Sequence, residues 1–322
     1  MRRRDLVLAV PAATLVAVPT IARAKKKVSV DLSYIVEHPA IEATKKGILA
    51  TLAEAGYVAG ETMDLEVQCA QSSMPTQVQI NRKFVGENPD LIVAISTPSA
   101  QTALAATNKI PIVFAAVTDP LAAGLVNSLE IPGRNLTGSS DKTPIDKHLD
   151  LIRSIVPNAH RIGIIYNAGE ANSVAQVDII EKLAAQNGLK VVAATASQTG
   201  AVLDAARSLV GRVDAIYVPT DSTVVSAIES VVRVGDEAYI PVIAADTASV
   251  ERGAIAALGF DYYDIGVAAG QSAVAILKGT KPGDLPVRFV DKLQLYVNKK
   301  SAMKMGVTLP ESLISQATKV IE

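Results

Sequence analysis

Hydroxyl, carboxylate and amide side chains gather in six short stretches of the chain: 34–38, 96–100, 116–120, 167–173, 220–222 and 246–249. Among them they carry Thr97, Ser99, Thr118, Asp119, Asn167, Glu170, Asn172, Asp221 and Asp246. Several stand directly before a segment with helical periodicity. The start of a helix offers free N–H groups and a partial positive charge, which suits a ligand carboxylate. Acids on a facing wall suit an ammonium. Hydroxyls and helix N-termini on one side and acids on the other are the chemistry of a zwitterion site. Taken singly, each Ser, Thr or Asp is equally well explained as a helix N-cap worth about 1 kcal/mol. Only the set points to a ligand.

Other chemistry has less support. There is no G-x-S-x-G elbow, no G-x-x-x-x-G-K-[ST] loop and no G-x-G-x-x-G opening a βαβ unit. The single cysteine, Cys69, lies in a strand pattern and is expected to act as a small buried apolar residue. His148 and His160 flank a helix in charged surroundings and are expected to be solvated. His38, in Glu37-His38-Pro39 at a strand end, could orient a loop, touch a ligand or move a proton. No second and third metal ligand stands at sensible spacing, so neither a metal nor another cofactor is expected.

The candidate stretches follow apolar runs, and these runs define the elements that must position them. Strands are expected at 27–34, 63–70, 91–95 and 111–116, alternating with helices at 39–55, 76–87 and 97–106. The pattern then restarts. Strands at 161–166, 189–194, 214–218 and 241–244 alternate with helices at 144–156, 173–187, 201–210 and 223–234. Strand–helix–strand spacing of this kind means βαβ units and parallel sheets. In such sheets ligands bind beyond the carboxyl ends of the strands, where the six stretches lie. A strand-like piece at 254–259, a helix at 262–277, extended pieces at 287–290 and 293–297 and two closing helices follow. A tail that adds strands after both sheets are built implies two lobes joined by several crossings, with candidates at 137–141, 246–253 and 286–297. The lobes are expected as 25–140 plus 249–285 and 141–248 plus 286–322.

Composition agrees with an α/β chain. Of 322 residues, 49% are hydrophobic and only 4% aromatic, with no Trp, so the core must be aliphatic. The net charge of −1 argues against a nucleic-acid coat or an anionic-membrane binder. At the N-terminus, Arg2-Arg3-Arg4, an apolar run from Leu6 to Pro19 and Ala22-Arg23-Ala24 form the three parts of a secretory signal, with cleavage expected after Ala24. The run is too short, and too interrupted by proline, to span a bilayer. Arg3-Arg4-Asp5-Leu6-Val7 also loosely fits a twin-arginine signal, which leaves the export route open. Cleavage takes the charge to −4. No Cys follows the apolar run, so no lipid anchor is expected there, and the product is expected to be soluble, beyond the inner membrane.

Several stretches resemble the substrate-binding proteins of ABC transporters, in the branch that takes tryptophan and other aromatic amino acids. They are Ile35-Val-Glu-His-Pro-Ala40, Phe114-Ala-Ala-Val-Thr-Asp-Pro120, Tyr166-Asn-Ala-Gly-Glu-Ala-Asn-Ser173, Pro219-Thr-Asp221, Ala245-Asp-Thr247, Gly259-Phe-Asp-Tyr-Tyr263 and Met305-Gly-Val-Thr-Leu-Pro-Glu311. Ala168 stands where that family suggests Pro, and Ser222 where it suggests Asn. The resemblance covers the chain beyond the signal. It implies the type I periplasmic-binding-protein fold and capture of an aromatic or large aliphatic amino acid by hinge closure. It also implies delivery to a permease in the inner membrane, from a monomer in the periplasm that is not an enzyme. Carried onto this chain, it suggests Thr97, Ser99 and Thr118 for the carboxylate and the Ala116 carbonyl, Asp246 and Asp221 for the ammonium. Asn167, Glu170 and Asn172 would close from the second lobe, and Tyr34, His38, Phe260 and Tyr262 would set side-chain preference. Two alternatives stay open: an exported enzyme on amino or keto acids using His38 and a cleft carboxylate, and a ligand sensor that docks on a membrane receptor.

Overall fold

The structure, a computed structural model, describes residues 27–322. The expected signal at 1–24 lies outside the described residues. The chain first lays down β1 (Val28–Tyr34), α1 (Pro39–Glu54), β2 (Met63–Cys69), α2 (Met74–Glu87), β3 (Leu91–Ile95), α3 (Thr97–Ala106), β4 (Ile112–Ala115) and β5 (Leu136–Gly138). These strands make a parallel sheet in the order β2-β1-β3-β4-β5. Then come α4 (Ile145–Ile155), β6 (Arg161–Tyr166), α5 (Ala171–Gln186), β7 (Lys190–Thr195), α6 (Val202–Arg207), β8 (Ala215–Val218), α7 (Ser222–Ser226), α8 (Ile228–Ala238), β9 (Val242–Ala244), α9 (Ala248–Glu251) and β10 (Ala256–Gly259). Helix α10 (Tyr262–Leu277) returns to the first lobe. The chain ends in β11 (Gln294–Asn298), α11 (Lys299–Lys304), α12 (Glu311–Gln316) and β12 (Lys319–Ile321). The second sheet runs β12-β11-β10-β9-β8-β6-β7, parallel except for the β10–β11 pair. Leaving out β11 and β12, both lobes therefore repeat one strand order.

Alternation along the strands explains the layers. In the first lobe Val30 and Leu32 of β1 and Leu91, Val93 and Ile95 of β3 pack with α1 and α10. Ile92 and Ala94 point the other way, into a core with Ile80 and Phe84 of α2 and Ala100 and Ala103 of α3. A sheet covered on both faces needs such unbroken apolar runs. Helices α1 and α10 run parallel and touch backbone to backbone. A Cβ on Gly47 would stand 2.2 Å from the Tyr263 carbonyl oxygen, and one on Gly266 2.1 Å from that of Thr44. This contact brings the starts of both helices, His38 and Tyr262, to the same edge of the sheet.

The structure departs from the sequence reading at several points. Strand β10 pairs with β9, so it belongs to the second sheet, and the return to the first lobe starts after Gly259 instead of at 249. The crossing expected at 246–253 is therefore a loop and α9 within the second lobe. Residues 287–288 still hold to the first lobe through Val287 N–H to Leu129 O and Arg288 N–H to Gly138 O. The first two residues of the crossing expected at 137–141 belong to β5 (Leu136–Gly138), and β12 is an additional strand. The helix expected at 223–234 breaks at Ala227, whose N–H turns back to Val224 O in a tight turn. Cys69 is half-buried because β2 is an edge strand. His148, expected in solvent, is buried: Tyr217 Oη donates to its Nδ1, and its Nε2 donates to Leu258 O. Burial pushes its pKa down to about 4, so it is a neutral core residue.

Candidate ligand-binding site

In each sheet the strand order reverses once, between β1 and β3 and between β6 and β8. Loops beyond the carboxyl ends of strands at such a switch point form a crevice. The two crevices face each other across a narrow cavity lined from both lobes.

The first lobe contributes His38 before α1, Ser96 and Thr97 at the start of α3, and Ala116 and Thr118 after β4. Neither α1 nor α3 has a side-chain cap, so both helix starts turn uncapped toward the cavity. Ser96 and Ala116 take positive φ, 83° and 52°, in the region that favours glycine. Such strain costs about 1–3 kcal/mol each and persists only where surrounding structure enforces it. Behind Ser96 lies a buried polar chain in which Ser96 Oγ bonds Ser99 Oγ, Ser99 donates to Gln77 and Gln77 to Ser33.

The second lobe contributes Asn172, Thr220, Asp221, Ser222 and Asp246. Asp221 caps α7 by accepting from Val224 N at 2.8 Å and also accepts from Asn167 N at 2.6 Å. Asp246 accepts from Ser249 N at 2.9 Å and Ser249 Oγ at 2.6 Å. Asp141 enters from the crossing after β5, and one of its oxygens accepts from Tyr262 Oη at 2.9 Å. Four buried atoms on the cavity wall have no hydrogen-bond partner among the described residues: His38 Nδ1, Thr97 Oγ1, Asp141 Oδ1 and Asn172 Oδ1. Leaving a buried polar atom unpaired costs about 1–3 kcal/mol, so four converging on one space mark a site for polar groups.

Charge follows the same division. Burial pushes Asp141, Asp221 and Asp246 up, and Asp246 raises Asp141 further. Acids that repel each other in a dry site favour a cation between them. Burial, helped by the charge of Arg252, pushes His38 down to about 3, so its ring is a neutral hydrogen-bonding group.

Of the residues singled out in the sequence, Thr97, Ala116, Thr118, Asn172, Asp221, Asp246, His38 and Tyr262 line the cavity. Five do not. Ser99 is buried in the polar chain behind Ser96. Asn167 donates to Thr223 Oγ1 at 2.9 Å, and Glu170 takes the N–H groups of Ser222 and Thr223, so both hold the loop that presents Asp221. Tyr34 and Phe260 pack in the core beneath α1 and α10. Asp141, Ser96, Thr220, Ser222, Ile41 and Val225 also line the wall and are not among the contacts expected from the sequence. Asp141 follows a strand end like the other candidates, but Leu136–Gly138 is too short to read as a strand.

Glu170 has a further consequence. Burial and the neighbouring Asp221 carboxylate push it up to about 8 from its ordinary 4.5. Between pH 6.5 and 8 the folded chain then holds a proton that the unfolded chain has lost, so stability falls as pH rises. The expected loss over that window is about 1–2 kcal/mol. Melting curves of the protein and of Glu170→Gln at the two pH values check this, with the variant expected to show no such slope.

The lobes are in contact. Thr118 Oγ1 meets Thr220 Oγ1 at 3.0 Å, and Ser72 Oγ meets Thr199 Oγ1 at 3.2 Å. Comparison with solved structures agrees with closure. An ABC domain from Streptococcus pneumonia in complex with L-Trp, 34% identical, superposes with a TM-score of 0.88, covering 92% of this chain and 100% of that one. The ligand-free, open structure of CD0873, a substrate binding protein with adhesive properties from Clostridium difficile, is more alike in sequence, at 41%. It superposes less well, with a TM-score of 0.67 over 91% of this chain and 99% of that one. The relative more alike in sequence is thus the one that superposes less well, as expected where its open lobes stand at a different angle. Leucine- and sugar-binding proteins at 15% and 17% identity share the two-lobed type I fold. A curated relative, the "Tyrosine-binding protein" of Clostridioides difficile (strain R20291), is 45% identical over 275 residues, 85% of this chain and 80% of its own. The family model for ABC transporter substrate binding protein matches residues 29–321. With a closed interlobe cleft and a match along its described length, the chain belongs to the ABC transporter substrate-binding proteins.

Proposed function

We propose that the protein captures an aromatic amino acid, tyrosine or tryptophan, between its lobes and delivers it to a membrane permease. The observation that carries this reading is the convergence of unpartnered buried atoms, Thr97 Oγ1 and His38 Nδ1 from the first lobe, Asn172 Oδ1 from the second and Asp141 Oδ1 from the crossing between them. The carboxylate lies against the starts of α1 and α3, and the ammonium between Asp141 and Asp246. Ile41, Val225 and Tyr262 border the space left for the side chain. With no Trp in the chain, any stacking on the ligand ring falls to Tyr or Phe. The names of the relatives, one tyrosine-binding and one holding L-Trp, support the ligand class.

The ligand touches both walls only when the lobes close, so its differential affinity shifts the population to the closed state. Catalysis has little support, since a histidine held near 3 is a poor base at neutral pH. The signal-like N-terminus supports export to the periplasm, where such a protein meets its permease. Among the described residues no helix is long and apolar enough to cross a membrane. Mass spectrometry of ligand released from the denatured protein, followed by calorimetry with the L-amino acids, tests the reading. Tyrosine or tryptophan is expected, bound unchanged. A sugar or a converted product would overturn it.

A further inference from the structure

A second polar cluster lies on the first lobe, on the face of the sheet that packs against α2. Asp31 of β1 and Glu66 of β2 are register partners in adjacent parallel strands, so their carboxylates stand side by side. Like charges so placed destabilise a sheet unless something lies between them. Glu87, the last residue of α2, adds a third carboxylate, and oxygens of all three lie within 4.8 Å of one another. Lys83 bonds Glu66 and reaches Glu87 at 3.0 Å, but its side chain is half-exposed and it leaves Asp31 unpaired. Asp31 is only 4% exposed, and its Oδ2 has no hydrogen-bond partner among the described residues. Three carboxylates against one ammonium leave two negative charges around a buried, unsatisfied oxygen.

We propose that Asp31, Glu66 and Glu87 form a binding site for a hard divalent cation, Ca²⁺ in preference to Mg²⁺, away from the amino-acid cleft. The donors are all oxygens, and the cluster opens to solvent beside Ser29 and Asp64. Ca²⁺ accepts carboxylates in irregular geometry and completes its shell with water, whereas Mg²⁺ demands a near-ideal octahedron. Lys83 swings out to solvent when the ion enters. Asp31 and Glu66 then gain a shared counter-charge that ties β1 to β2, and Glu87 ties α2 to both.

The test is calorimetric titration of CaCl₂ into the purified, metal-stripped protein, with melting curves in parallel. Saturable binding is expected with Kd of about 10⁻⁴–10⁻³ M, the range of extracellular modules. Melting should rise by about 5 °C in about 10 mM Ca²⁺. Asp31→Asn and Glu87→Gln should each weaken Ca²⁺ at least about tenfold, and Lys83→Gln should tighten it several-fold. Glu87 is on the rim, so its variant tests the site even if Asp31→Asn folds poorly. No saturable heat up to about 10 mM Ca²⁺, or unchanged Ca²⁺ binding by the two acid variants, overturns the site. An equal response to Mg²⁺ overturns the stated preference.

Discussion

Asp141→Asn is expected to weaken amino-acid binding by about 2–5 kcal/mol, or roughly 30- to 5,000-fold, the cost of breaking a buried, desolvated charge pair. Among the acids on the cavity wall, Asp141 is the one with a free oxygen. Asp246 spends both of its oxygens on Ser249, and Asp221 spends its two on Asn167 and Val224. Asp141 gives one oxygen to Tyr262 and keeps Oδ1 unpaired. Asn keeps the shape and the Tyr262 bond but removes the charge, so the fold should survive while the ammonium loses its anchor. Asp119→Asn is the matched control. Its carboxylate is taken by Ala122 N and Lys142, and it does not line the cavity, so affinity should stay within about 0.5 kcal/mol of the parent. Calorimetry with L-tyrosine and L-tryptophan on both variants decides the matter. Undiminished binding by Asp141→Asn would remove that residue from the site.

Gly266→Ala should cost about 1–3 kcal/mol of folding stability, and more if the helices cannot separate. The added Cβ would meet the Thr44 carbonyl oxygen at 2.1 Å, and backbone cannot swing aside as a flexible side chain can. Helices α1 and α10 would have to part, and with them His38 and Tyr262 at their starts. Loss of stability should therefore come with loss of affinity, although Gly266 does not line the cavity. Gly86→Ala offers the contrast. Gly86 lies within α2 with nothing near its missing Cβ, so alanine there should stabilise by about 0.5–1 kcal/mol. Melting curves of the two variants should move in opposite directions.

How far the sequence could be read depended on how local each signal was. The buried strands β3 and β4 are short unbroken apolar runs, and α1 opens with Pro39, so these elements were legible. The order of strands within each sheet was not. It depends on pairings such as β1 with β3, which bring together segments separated by α1, β2 and α2. Strand β5 escaped because Gly138 breaks its apolar pattern. Glycine is required there, since a Cβ would stand 1.9 Å from the Phe114 carbonyl oxygen. Its loss from the reading hid Asp141, which follows it.

The candidate site was legible as a set of strand-end loops, but the roles within it were not. Glu170 and Asn167 have the right chemistry for a ligand, yet the structure spends them on the backbone of the neighbouring loop. Ser99 has the right position, one turn into α3, yet faces Gln77. Which way a side chain turns depends on what packs behind it, and one local stretch does not contain that information. His148 shows the same limit in reverse. Its neighbours in sequence are charged, but its helix lays it against Tyr217, on another element, in the core.

Asp141 stands where the chain leaves the first lobe, and there Ser140 N–H bonds Arg288 O on another crossing. It is near the pivot, not out on the far jaw. A rotation about the crossings carries Asn172 and Asp221 through a wide arc and leaves Asp141 almost in place. On the proposed reading, the negative anchor therefore holds an incoming amino acid while the jaws are still apart. If Asp141 holds the ammonium as proposed, arrival is governed by the first lobe and the pivot, and residence time by the second lobe, whose contacts must break before the ligand can leave.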